Sequence, residues 1–169
     1  MVFVKKIGLI VILLMSLVLT SCSEQTLAVF ADMEDLASTI YARAGLEKSG
    51  VYTEELDDDI AFAFGMGREE FDDYVEKAIC YRQAVDTKGQ TLYVFETEAD
   101  KNSVTLAGKL YDGYEFAPCD PAEKMTVACS GKYVILFKST AAEVDAAVES
   151  FRALSGGALR FRKDMEHHG

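Results

Sequence analysis

The sequence predicts an α+β fold. We expect an antiparallel four-stranded sheet from two hairpin-helix units, with helices packed on one face, after an N-terminal helical segment. Three observations predict it. From residue 80 onward the order of elements reads strand, strand, helix, twice. Tyr93-Val94-Phe95 before one helix mirrors Tyr133-Val134-Ile135 before the next. Finally, half of the 169 residues are hydrophobic and only two are proline, which excludes a disordered chain.

The elements follow in order. A helix is expected from about Val29 to Leu46, where Phe30, Met33, Ala37, Ile40 and Ala44 make one apolar stripe. Gly45 and Gly50 mark its end. The acidic run Glu54 to Asp59 reads as the negative first turn of a short helix carrying Ile60, Phe62 and Phe64, because carboxylates favour helix N-termini. A further helix is predicted over Glu69–Ile79, with Phe71, Val75 and Ile79 four apart. Cys80 to Asp86 and Thr91 to Thr97 read as two strands around the turn Thr87-Lys88-Gly89-Gln90. Asp100 to Tyr114 follows as a helix, and Pro118 and Pro121 then mark an irregular crossing. Met125 to Ser130 and Lys132 to Ser139 form a second hairpin. Thr140-x-x-Glu143 reads as a capping box opening a last helix with Val144, Ala147, Val148, Phe151 and Leu154 at helical spacing. Residues 29–157 are thus one domain, and residues 158–169 are a basic tail with a disordered end as the default.

The amino terminus reads as an address. Lys5 and Lys6 precede thirteen uncharged residues, Ile7 to Leu19. As a helix this run spans about 20 Å, short of the about 30 Å of a bilayer core. Length and flanks match the apolar region of a secretory signal peptide. Leu19-Thr20-Ser21-Cys22 then resembles the lipobox of bacterial lipoproteins. That resemblance implies diacylglyceryl attachment to the Cys22 thiol and cleavage before it, making residues 1–21 a signal peptide and 22–28 a polar linker. Lipidation at Cys22 would hold the domain at the membrane on its extracytoplasmic side.

Charge narrows the partners. Without residues 1–21 the chain keeps 15 basic side chains against 28 acidic ones, a net charge of −13. Such a body lacks the clustered Lys and Arg that phosphates need, so no nucleic acid is expected. The remaining cysteines, Cys80, Cys119 and Cys129, have no Cys-x-x-Cys spacing. At most one pair can form. Cys119 with Cys129 is open, while Cys80 and Cys129 sit in apolar runs suited to buried thiols.

No catalytic motif occurs, and no metal site or cofactor is expected. His167 and His168 are the only histidines and read as a solvated tail. Asp57, Asp58 and Asp59, with Glu54 or Glu55, offer oxygens for a divalent cation, but the spacing fails an EF-hand and a solvated helix start explains them. Tyr41, Tyr74, Tyr111 and Tyr114 flank helix stripes and either close the core edge or line a ligand groove. The basic stretch Arg160-Phe161-Arg162-Lys163 has two destinations open to it, the acidic body or anionic lipid.

Several segments resemble the small lipoproteins of low-GC Gram-positive bacteria known as domain of unknown function 4358. They are Thr53-Glu54-Glu55-Leu56-Asp57, Gly65 to Val75 ending Phe71-Asp72-Asp73-Tyr74-Val75, Tyr93-Val94-Phe95-Glu96, and Gly131-Lys132-Tyr133-Val134-Ile135-Leu136. The resemblance covers about residues 30–152 and implies a lipid-anchored extracytoplasmic α+β domain with no assigned reaction. Here the helix before the second hairpin is interrupted at Tyr114-Glu115-Phe116-Ala117-Pro118-Cys119.

The functional expectation is a membrane-anchored, non-catalytic binding or interaction module, partnered by an envelope protein or peptide. The alternatives are an accessory subunit of a membrane complex and, behind it, a carboxylate- or metal-dependent enzyme. Oligomeric state is left open.

Overall fold

A computed structural model describes residues 32–167. The signal peptide, Cys22, the linker and the start of the first expected helix lie outside them. The elements are α1 (Met33–Ala44), β1 (Val51–Leu56), a 3-10 segment (Asp58–Phe64), α2 (Arg68–Asp72), β2 (Lys77–Gln83), β3 (Thr91–Glu96), α3 (Asp100–Gly113), β4 (Lys124–Ser130), β5 (Tyr133–Ser139), α4 (Ala141–Leu154) and β6 (Phe161–Glu166). The class is α+β, with one antiparallel sheet of six strands in the order β1-β2-β3-β5-β4-β6.

The two expected hairpins form the centre of this sheet, lying side by side through β3 and β5. The expected four strands are corrected to six, because both edges come from segments without a clear strand signature. β1 lies in the stretch whose acids read as a helix start, and β6 in the stretch read as a free tail. β6 is held by alternation. Phe161 and Met165 join the core on one face, while Arg162 and Asp164 engage α4 and β4 on the other. The helix over Glu69–Ile79 is also corrected. Only Arg68–Asp72 is helical, and Lys77 already begins β2.

Helices cover both faces of the sheet, a correction to the one-faced arrangement. α1 and α4 pack on one face against Ile79, Tyr81, Leu92, Val94, Ile135 and Phe137. The 3-10 segment, α2 and α3 pack on the other, against Phe95, Met125, Val127, Val134 and Leu136. The topology requires this. β3–α3–β4 and β5–α4–β6 each join parallel strands with one strand between them. Both crossovers step the same way across the sheet, yet β3 and β5 run in opposite directions. Two connections of one hand must then place their helices on opposite faces, and such connections have a strong preference for one hand. A two-fold axis relating antiparallel β3 and β5 would keep both helices on one face. The two hairpin-helix units are therefore not related by such an axis.

Local signals explain the helix ends. Asp32 caps α1 by accepting from the Asp35 N–H at 2.8 Å, with Glu34 and Asp35 in the first turn and Arg43 in the last. Thr140 holds the N-cap position of α4, but its side chain does not cap the backbone. Instead Glu123 accepts from the Ala141 N–H at 3.0 Å, while Glu143 accepts from Ser139 and pairs with Lys88. The capping box is thus replaced by a tertiary contact.

Candidate functional site

A groove of about 520 Å³ opens on the α3 side of the sheet, beyond the end of that helix. Its floor is set by cross-strand register. Tyr52, Arg82, Thr91 and Lys138 lie directly opposite one another on β1, β2, β3 and β5, so their side chains share one face. One row further in, Glu54, Cys80, Tyr93 and Leu136 align in the same way. The crossing after α3 supplies the facing wall through Ala117, Cys119, Asp120 and Pro121.

Asp120 anchors that wall, its side chain only 6% exposed. It pairs with Lys138, and its Oδ1 accepts from the Ala122 N–H at 3.1 Å. The Tyr114 hydroxyl also bonds to it; burial raises the Tyr114 phenol far above its ordinary range, and the Asp120 charge adds to this. Gly89 makes the fit possible. Its φ is +67°, and a β-carbon there would stand 2.7 Å from Asp120 Oδ1.

Arg82 is the most exposed cation of the floor. Its Nη2 donates to Glu54 Oε2 at 2.7 Å, and its guanidinium lies 5.4 Å from the Tyr52 ring centre. Its buried Nε finds no acceptor among the described residues. Tyr52 remains 41% exposed. Beneath, burial pushes the Cys80 thiol up to about 11 and the Tyr93 phenol up to about 12, so both stay neutral. The groove is therefore a polar floor of two cations, each already met by a carboxylate, with one open aromatic ring.

The residues singled out in the sequence are distributed differently. Tyr41 is buried and donates to the Tyr81 carbonyl at 3.4 Å. Tyr74 and Tyr111 lie under Lys109 and Lys163, and Tyr114 serves Asp120. Only Tyr52, which the sequence did not single out, lines the groove. Asp57 caps the 3-10 segment by accepting from the Asp59 N–H at 3.1 Å, and Arg68 pairs with both Asp58 and Asp59. Arg68 thus occupies the place a cation would take, and no metal-holding group occurs among the described residues. His167 is docked rather than solvated, a correction. Its ring stacks on Phe116 with centroids 4.5 Å apart, and Nδ1 lies 3.0 Å from the Ala122 carbonyl oxygen.

No disulfide joins the described cysteines. Cys80 and Cys129 are buried on β2 and β4, three strands or about 14 Å apart, too far to bridge. Cys119 is exposed in the groove wall. No described helix is long and apolar enough to cross a membrane.

Comparison with protein-family models, with curated proteins and with solved structures finds no match.

Proposed function

We propose that this protein is a lipid-anchored, extracytoplasmic binding module, tethered through Cys22 and related to the small lipoproteins it resembles. The observation that carries this reading is the run Lys5-Lys6, Ile7 to Leu19 and Leu19-Thr20-Ser21-Cys22, followed by a body whose first helix is capped at Asp32. Nine residues lie between Cys22 and that cap, enough extended chain over the ten steps to reach about 35 Å from the membrane surface. A strongly acidic body is repelled by anionic lipid, so the tether rather than surface charge provides the attachment. Interaction rather than catalysis suits the groove, where both floor cations are met by carboxylates and the open surface is the Tyr52 ring, the Arg82 guanidinium and the Cys119 thiol.

Metabolic labelling with a radioactive fatty acid tests the anchor. The full chain should take up label and stay with membranes, and Cys22→Ala should abolish both. Continued labelling of that variant, or free secretion of the unaltered chain, overturns the reading.

A further inference from the structure

We propose that the outer edge of β1 is a strand-addition site for an extended, basic segment of a partner protein. The proposal rests on the reading of this chain as an interaction module and names the surface and the partner's chemistry.

Among the described residues β1 ends the sheet, with β2 on its inner side only. The Ala84 N–H donates to the Gly50 carbonyl at 3.0 Å. Bonded pairs recur every second residue in an antiparallel ladder. Tyr52, Glu54 and Leu56 therefore turn their backbone groups toward β2, whereas Thr53 and Glu55 turn N–H and C=O outward. An added strand finds its hydrogen bonds at those two residues.

The opposite edge shows what a protected one looks like. On β6, Arg162 pairs with Asp145, Glu149 and Asp164, and Lys163 lies over the Tyr111 and Phe161 rings. Charges of both signs, engaged on both faces, guard it. β1 reads Val51-Tyr52-Thr53-Glu54-Glu55-Leu56; among the described residues Arg82 of β2 engages Tyr52 and Glu54 on one face, and no charged partner engages the other. Its charges are of one sign, and Glu55 is exposed with no ion pair among the described residues. Tyr52 beside the groove offers an aromatic neighbour to the incoming side chain opposite it.

The acids choose the occupant. A second copy paired edge to edge, with side-chain faces matched, centres on Thr53 or Glu54. Either register brings four glutamates into one ribbon with no cation on either strand, and joins two bodies that are each strongly negative. A strand that places Lys or Arg on the Glu55 face and an apolar side chain on the Tyr52 face meets no such repulsion, since Glu54 is already paired with Arg82.

The probe is a blocked octapeptide of alternating Lys and Val, added to the full chain in detergent, with residue-resolved amide exchange as the readout. Without peptide, Thr53 and Glu55 should exchange freely while Tyr52 and Glu54 are protected. With peptide, Thr53 and Glu55 should slow by about ten-fold or more. A Glu-Val peptide should leave them fast. Thr53→Pro removes the outward N–H at an edge position that tolerates proline. The buried Thr53 hydroxyl has no hydrogen-bond partner among the described residues, so its loss breaks no described side-chain bond. That variant should weaken binding about ten-fold, and Glu55→Lys about two- to five-fold.

Unslowed amides at Thr53 and Glu55, equal binding of the Glu-Val peptide, or peptide affinity unchanged in both variants overturns the proposal. Protection of those amides without peptide, in a dimeric chain, overturns it in favour of a second copy. Fatty-acid labelling at Cys22 is independent of these outcomes, so the edge and the anchor fail separately.

Discussion

Gly65 and Gly113 stand back to back. A β-carbon on Gly65 would lie 3.1 Å from the Gly113 Cα, and one on Gly113 would overlap the Phe64 carbonyl oxygen and sit 2.8 Å from its carbon. The backbone of the 3-10 segment thus rests directly on the end of α3. Gly108, on the same helix, has open space where its β-carbon would be. Gly113→Ala should lower stability by about 2–4 kcal/mol, since backbone must move. Gly108→Ala should be neutral or stabilise by up to about 1 kcal/mol through helix propensity. Paired urea melts compare the two, and equal midpoints would refute the contact.

Asp164 links β6 to the body and sets an acid limit on stability. It accepts from Thr126 Oγ1 at 2.9 Å and lies 3.3 Å from Lys124 Nζ, a side chain only 8% exposed. Burial by itself raises the Asp164 carboxyl, but hydrogen bonds from Arg162, Thr126 and Lys124 outweigh it and hold the group below its ordinary value. A depressed folded pKa gives stability that is present above the unfolded value, about 4, and lost as pH falls through the folded one. The melting temperature should therefore hold down to about pH 5 and decline below about pH 4. Asp164→Asn should cost about 1–2 kcal/mol at pH 7 and flatten that decline. Melting curves of both proteins from pH 3 to pH 7 test the coupling.

The three body thiols should react in two classes. Cys119 is exposed, whereas Cys80 and Cys129 are buried, and burial pushes Cys80 up to about 11. A maleimide at neutral pH should label one site per folded molecule within minutes and three after denaturation, if Cys22 is acylated. Intact mass read at intervals decides it. Two fast sites in the native protein would contradict the buried placement.

Chain termination after Leu159 removes β6 and tests whether the last strand belongs to the domain. It leaves the β4 backbone without its outer neighbour and takes Asp164 and Glu166 from Lys124. The melting temperature should drop by about 10 °C or more. A melting temperature equal to that of the full chain would return residues 160–167 to the status of a tail.

The sequence was most legible where apolar runs are dense and neighbours in sequence pair in space. The hairpins at Cys80 to Thr97 and Met125 to Ser139, and the stripes of α1 and α4, follow from local period and turn chemistry. β1 was not legible, because Glu54 and Glu55 suit a solvated edge but also a helix start. β6 depends on Arg162 finding Asp145 and Glu149, acids on a helix that precedes it in the chain. Phe71, Val75 and Ile79 kept helical spacing across a helix-to-strand boundary, so periodicity alone misplaced it. The faces taken by α3 and α4 follow from crossover hand, a property of the whole sheet. The groove was invisible for a similar reason. Tyr52, Arg82, Thr91 and Lys138 come from four strands and meet only through register. The sequence did offer one hint, polar side chains closing two apolar strand runs at Arg82 and Lys138.

The strand at the middle of the sheet is made late. β5 sits between β3 and β4, so until residues 133–139 have emerged the early strands and β4 cannot be joined into one sheet. Closing such distant pairings is slow. For a chain exported as we propose, this order of assembly keeps the polypeptide threadable during most of its passage through a narrow translocation channel, and lets it lock only on the far side.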